Sequence, residues 1–165
     1  MMCLEVGPGA NRSYGFAPRT PICCTAVFLD IEPPSGGVSD CGMWVVADAQ
    51  MLPLRSSSFS HVYASHVIEH LRSPATFLRE ARRVLVRGGF LEVWTPNFLS
   101  VNAKRDPTHL HVFNLFTLWR MAKSVGFKFH LPIRVASRLP RPLQRLLSII
   151  VNFFLDELHV VLEKV

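Results

Sequence analysis

The order of patterns along the chain predicts an α/β protein, a mostly parallel sheet with helices packed on it. Three observations predict it. Short apolar runs stop repeatedly at glycine, proline or an acid. Strand and helix patterns alternate through the second half of the chain. The first run stops in Gly7-Pro8-Gly9, and the next two end near Asp30 and Asp48, where a parallel sheet gathers ligand-binding residues.

Each element has its own signal. "CLEV" (3–6) runs into the Gly-Pro-Gly turn, and "TAVFLDI" (25–31) stops before Pro33-Pro34. "MWVVAD" (43–48) is β-branched, and "FSHVYAS" (59–65) alternates. "GFLEVWTP" (89–96) follows a glycine pair. A helix is predicted after Ser73, with Ser73 as cap and Pro74 in the first turn. Phe77, Leu78, Ala81, Val84 and Leu85 share its apolar face, and Gly88-Gly89 is expected to end it. A second helix starts at the Asn114 cap, lines up Leu115, Leu118, Trp119 and Ala122, and stops at Gly126. A third is expected from Pro142 to Leu155, with Leu143, Leu146, Leu147, Ile150, Phe153 and Phe154 on its apolar side. "FKFHLPI" and "LHVVLEKV" read as two more strands, the last one antiparallel. No repeat, low-complexity tract or linker breaks the chain, so residues 1–165 are expected to form one domain.

Composition narrows the class. The formal charge is +6 over 165 residues, with no block of like charge, which disfavours nucleic acid as a partner. Cys3, Cys23, Cys24 and Cys41 form no CxxC pair, and no secretory leader is recognised. Reduced thiols in a cytoplasmic protein are the expectation. The apolar stretch 146–155 is too short to span a bilayer. Arg134, Arg138, Arg141 and Arg145 precede it. That pairing suits an anionic membrane surface, but a core helix with solvated arginines is the favoured reading.

The strand ends carry the chemistry. Glycines let a backbone pass close to a ligand. An acid after the second strand can take both ribose hydroxyls. Asp48 can accept from an amino group such as an adenine N6. A dinucleotide site wants a third glycine near position 12, where this chain has Arg12. A nucleoside ligand without a pyrophosphate fits better.

"LEVGPGA", "FLDIEPP", "VVADAQMLPLRSSSFSHVYASHVIEHL", "FLREARRVLVRGGFLEVWTPN" and "HVFNLFTLWRMAKSVGF" resemble class I S-adenosylmethionine-dependent methyltransferases, in particular the type 11 group, in family order over residues 3–127. The resemblance implies a Rossmann-like sheet ordered 3-2-1-4-5-7-6 and S-adenosyl-L-methionine as cofactor. It implies that Glu5, Gly7 and Gly9 wrap the methionine part, Asp30 holds the ribose, and Asp48 with Ala49 meets the adenine. Ser65 and His66 would close over the cofactor near the methyl group. A small-molecule acceptor is expected. Proton removal, where the acceptor needs it, falls to His66, His109 or His111. His70 reads as a structural residue on a helix side. His109-x-His111 beside Asp106 has metal-ligand chemistry, but no third fixed ligand is evident, so no metal is expected.

The chain departs from that family in three places. Asn11 stands at the third glycine of the first motif. The helix that usually precedes the first strand is not recognised. The connection after the first strand contains Pro18 and Pro21, and the next is too short for a useful helix. One face of the sheet is therefore expected to have reduced helical cover, inviting a second copy or a protein partner. The rival readings are a non-catalytic methyltransferase-like binding protein or truncated form and, third, a nicotinamide-dependent oxidoreductase.

Overall fold

A computed structural model describes residues 2–9, 25–34, 42–132, 140–154 and 156–165. Its elements are β1 (Met2–Val6), β2 (Thr25–Asp30), β3 (Gly42–Val46), β4 (Phe59–Ser65), α1 (Pro74–Val84), β5 (Leu85–Pro96), α2 (Val101–Arg105), α3 (Leu115–Val125), β6 (Phe127–His130), α4 (Arg141–Phe154) and β7 (Glu157–Lys164). The strands form one sheet in the order β3-β2-β1-β4-β5-β7-β6. β1 to β5 pair in parallel, and β7 runs antiparallel to both β5 and β6. The expected order and the antiparallel last strand are both present.

Alternation along the strands builds one core. Leu4, Val6, Val27, Leu29, Val62, Ala64, Leu91, Val93, Leu158, Val160 and Leu162 join the buried faces of α1 and α3 in a single apolar cluster. Burying each large aliphatic side chain contributes about 1.5–3 kcal/mol against exposure. From α3 the Asn114 side chain accepts from Thr117 N at 2.8 Å, and the Thr117 hydroxyl accepts from Asn114 N, a reciprocal cap. Gly126 ends α3 in the left-handed region with φ 91°. All the helices among the described residues follow β4, which agrees with reduced helical cover.

Several local expectations are corrected. α1 ends at Val84, not at Gly88-Gly89, because Leu85 turns extended and opens β5 opposite Phe59. The register shifts between Phe59 and His61, and Gly88 (φ 74°) takes up the bend inside the strand. Ser73 is the residue before α1, but its hydroxyl pairs with Thr76 Oγ1 at 2.8 Å and makes no side-chain cap bond. Trp119 is exposed, while Leu118 and Ala122 carry the buried face of α3. The short helix α2 was not expected. On α4 the described Leu143, Leu146, Ile149 and Ile150 are exposed rather than packed as core, and the side chains of Phe153 and Phe154 lie outside the described residues. Cys3 is disulfide-bonded rather than a free thiol. Asn11, Arg12, Pro18, Pro21, Cys23, Cys24, Cys41, Arg134, Arg138 and Leu155 lie outside the described residues, as do the connections 10–24 and 35–41 in which several of them fall. No helix among the described residues is long and apolar enough to cross a membrane.

Candidate functional site

The carboxyl ends of β1 to β4 lie side by side at the point where strand order reverses, between β1 and β4. The first turn is tied down there. Gly7 N donates to Leu29 O at 2.8 Å, and Gly9 N donates to Asp30 Oδ2 at 3.0 Å. Both glycines are left-handed, at φ 68° and 72°. A Cβ on Gly7 would fall 2.4 Å from Val67 Cγ2, so this turn requires glycine on two counts. Glu5 is buried on β1, in register with Phe28 of β2 and Tyr63 of β4.

Asp30 closes β2. Its second carboxylate oxygen accepts from Glu32 N at 3.3 Å. Its main-chain carbonyl accepts from Ala47 N at 2.8 Å, which holds the end of β3 alongside. Asp48 follows, exposed, with Oδ1 accepting from Gln50 N at 2.7 Å. Ala49 beside it is buried against the core. A carboxylate has about four acceptor sites, so both acids retain capacity for ligand hydroxyl or amino groups.

Ser65 ends β4 opposite Trp94. His66 then turns left-handed at φ 53°, with its N–H donating to Trp94 O at 2.9 Å. Such a conformation is strained for a residue with a Cβ. The ring lies between two carboxylates, with Nδ1 3.3 Å from Glu69 Oε1 and Nε2 3.0 Å from Glu157 Oε1. Glu69 first, and Glu157 with it, raise the His66 pKa above the ordinary imidazole value against the opposing effect of burial. Both ring nitrogens facing acceptors favour the imidazolium form.

The other two candidate histidines separate. His109 lies beside Glu69 and His70. His111 instead turns its Nε2 towards Arg72 O at 3.4 Å. The loop is held in place by Leu110 N and His111 N, which both donate to Glu69 O, at 2.8 and 3.1 Å. Sequence reasoning passed over Glu69, Thr95 and Glu157. The adjacent acid and histidine in "VIEHL" were the available signal for Glu69. Glu157 has none, since it reaches His66 across 91 positions.

A family model described as a methyltransferase domain matches residues 4–93, and the chain belongs to that family. A "Probable S-adenosylmethionine-dependent methyltransferase" of Mycobacterium tuberculosis is 38% identical over 85 residues, covering 49% of this chain and 31% of that protein. One of Mycolicibacterium smegmatis is 37% identical over 81 residues, covering 47% and 32%. The match thus spans about a third of the length of these curated relatives. Among solved structures, a chain of the complex between the Haloferax volcanii Trm112 methyltransferase activator and a methyltransferase aligns with TM-score 0.70 at 16% identity, covering 98% of this chain and 81% of that one. An S-adenosylmethionine-dependent methyltransferase from Archaeoglobus fulgidus aligns with TM-score 0.66 at 18% identity, covering 99% and 86%. These structural likenesses establish the Rossmann-like methyltransferase fold.

Proposed function

We propose that this chain binds S-adenosyl-L-methionine at the β1–β4 edge and passes its methyl group to a small-molecule acceptor. The observation that carries the reading is the Gly9–Asp30 link at 3.0 Å, which joins the glycine turn to the acid of the next strand on one open edge. Bound S-adenosylmethionine supplies a methyl group on a sulfonium, ready for displacement. The work left to the chain is positioning and exclusion of water. Gly7 and Gly9 let the main chain pass close to the amino-acid part, with Glu5 behind them. Asp30 accepts from the ribose hydroxyls, and Asp48 accepts from the adenine amino group above Ala49. Ser65 and the strained His66 close the edge near the methyl group. A proton leaving the acceptor, where the acceptor must lose one, would pass to His111, while His66 as imidazolium contributes positive charge and position.

The reading includes a second copy or a protein partner over the thinly covered face. A mass above one chain in light scattering supports this, and a strict monomer at all concentrations contradicts it. It also includes a cytoplasmic location. Recovery of the protein in the cytosolic fraction of lysed cells supports that, and recovery outside the cell contradicts it.

Calorimetric titration with S-adenosylhomocysteine tests the core of the proposal, beside Asp30→Ala. Micromolar binding weakened at least about tenfold in the variant is expected, from loss of charge-assisted hydrogen bonds. No binding by folded wild-type protein would favour a non-catalytic relative of the family.

A further inference from the structure

Behind His66 lies a cluster that the cofactor reading does not use. Glu69, His70 and His109 each offer a ligand atom, and these atoms lie within 4.8 Å of one another. We propose that Glu69, His70 and His109 bind one divalent transition-metal ion, of the class that accepts imidazole and carboxylate together.

Burial gives the first argument. The Glu69 and His109 side chains are only 1% and 7% exposed. Glu69 Oε1 is buried without a well-aligned hydrogen bond, its charged neighbour being His66 Nδ1 at 3.3 Å. A buried carboxylate is costly unless a cation meets it. The half-buried His66 imidazolium meets Oε1 only at 3.3 Å, and a metal ion against the same carboxylate would add the charge that this contact does not fully supply.

Orientation gives the second. A ligating imidazole usually donates its other N–H to a carbonyl or carboxylate, which fixes the tautomer. Both rings here have such a partner on the same nitrogen. His109 Nδ1 lies 3.3 Å from Ala103 O, and His70 Nδ1 lies 3.2 Å from Thr108 O. With Nδ1–H donating in each ring, each Nε2 keeps its lone pair. The carboxylate is oriented too, since Glu69 Oε2 accepts from the Thr95 hydroxyl at 3.1 Å. Asp106 Oδ2, 3.7 Å from His109 Nε2, adds negative charge at the rim.

The fold brings these groups together from distant positions. Glu69 and His70 follow β4, and His109 follows α2. The two main-chain bonds onto Glu69 O hold the second segment against the first. Ligands about 2.1 Å from one tetrahedral ion are about 3.4 Å apart, so the widest pair must draw in by up to about 1.4 Å on binding. Three protein ligands leave a position for water. Two nitrogens in the set disfavour magnesium and calcium, which prefer oxygen.

The chelator-stripped chain of residues 1–165 would be titrated with Zn²⁺, Mn²⁺ and Mg²⁺ by calorimetry, and its Zn²⁺ content measured after gel filtration. One Zn²⁺ per chain is expected, held more tightly than Mn²⁺, with Mg²⁺ weakest. Affinity should fall at least about tenfold in Glu69→Gln and in His109→Ala. His130→Ala, which removes the ring paired with Glu163, should bind as wild type. Circular dichroism checks each fold, and His109→Ala decides if Glu69→Gln does not fold. Absence of Zn²⁺ binding by folded wild type, or equal binding in all three variants, would overturn the proposal. Asp30→Ala should keep its Zn²⁺, so failure of the metal site and failure of the cofactor site remain distinguishable.

Discussion

The two faces of the sheet are built differently. One presents Val62, Ala64, Leu91, Val93, Leu158, Val160 and Leu162, each 0% exposed, to α1 and α3. The other presents rings and titratable groups, many of them half-buried. There His61 stacks on Tyr63 with centroids 6.1 Å apart, and Trp94 stacks on His159 at 4.2 Å. His159 also meets Glu92 at 3.4 Å. Aliphatic side chains gain only by leaving water, so their face must be closed by helices. Rings with polar tips tolerate partial wetting, and this face does so with no helix before β4 among the described residues. Cys3, Phe28 and Tyr63 are nonetheless buried on this second face, so both faces carry packing, and only the first is mainly aliphatic.

The sharpest contrast compares neighbours on β5. Leu91→Ala should cost about 3 kcal/mol in urea unfolding, from lost burial and a residual cavity. Trp94→Ala, on the other face, should cost clearly less despite the larger side chain. Equal losses would break the distinction.

A second variant probes how the aliphatic side is fastened. The Arg83 guanidinium donates to Leu52 O, Leu54 O and Glu80, each at 2.8 Å, and so ties the segment after β3 to α1. Arg83→Ala should destabilise by about 2 kcal/mol in the same assay, since hydrogen bonds to charged groups exceed neutral ones. A loss within about 0.5 kcal/mol would mean that this face is held by packing alone.

Gly7→Ala concerns the edge where the two faces meet. It places a Cβ 2.4 Å from Val67 Cγ2 on a backbone at φ 68°. A stability loss of about 1–2 kcal/mol is expected, with weaker S-adenosylhomocysteine binding. Unchanged binding would remove the turn from the site.

The smallest effect is in acid. The hydrogen bond from Arg83 lowers the Glu80 pKa below 4.5, against the effect of burial. The charged form thus stabilises the fold fully above the unfolded value, and that contribution disappears as pH falls through the lowered folded value. Unfolding free energy should drop by under about 1 kcal/mol in this window, a modest size because the pair is partly solvated. Glu80→Gln should remove that part of the slope, and an unchanged slope would assign it to other carboxylates.

What was legible in the sequence follows from which interactions are local. "FSHVYAS" was read to its observed bounds because its alternation is bordered by polar turns. α3 was read through Asn114 and Gly126, whose capping roles are properties of neighbouring backbone. The end of α1 was misplaced because Val84-Leu85-Val86 suits a helix or a strand, and pairing with Phe59 decides between them. α4 looked like core because apolar spacing is the same whether or not anything covers it. The glycine turn and Asp30 fall at strand ends as expected, and Asp48 lies two residues past β3, because each is set by the local end of an apolar run. Glu69 had only the adjacent acid and histidine of "VIEHL" as a signal, and Glu157 had none, since it meets His66 across the fold.

Hydrogen–deuterium exchange with and without S-adenosylhomocysteine tests the central claim most directly, because it reports where protection appears. Residues 4–9, 28–32 and 46–50 should gain protection together on ligand addition, while 115–125 of α3 stays unchanged. Protection confined to α3 or β6, or none at saturating ligand, would contradict a cofactor site at the β1–β4 edge.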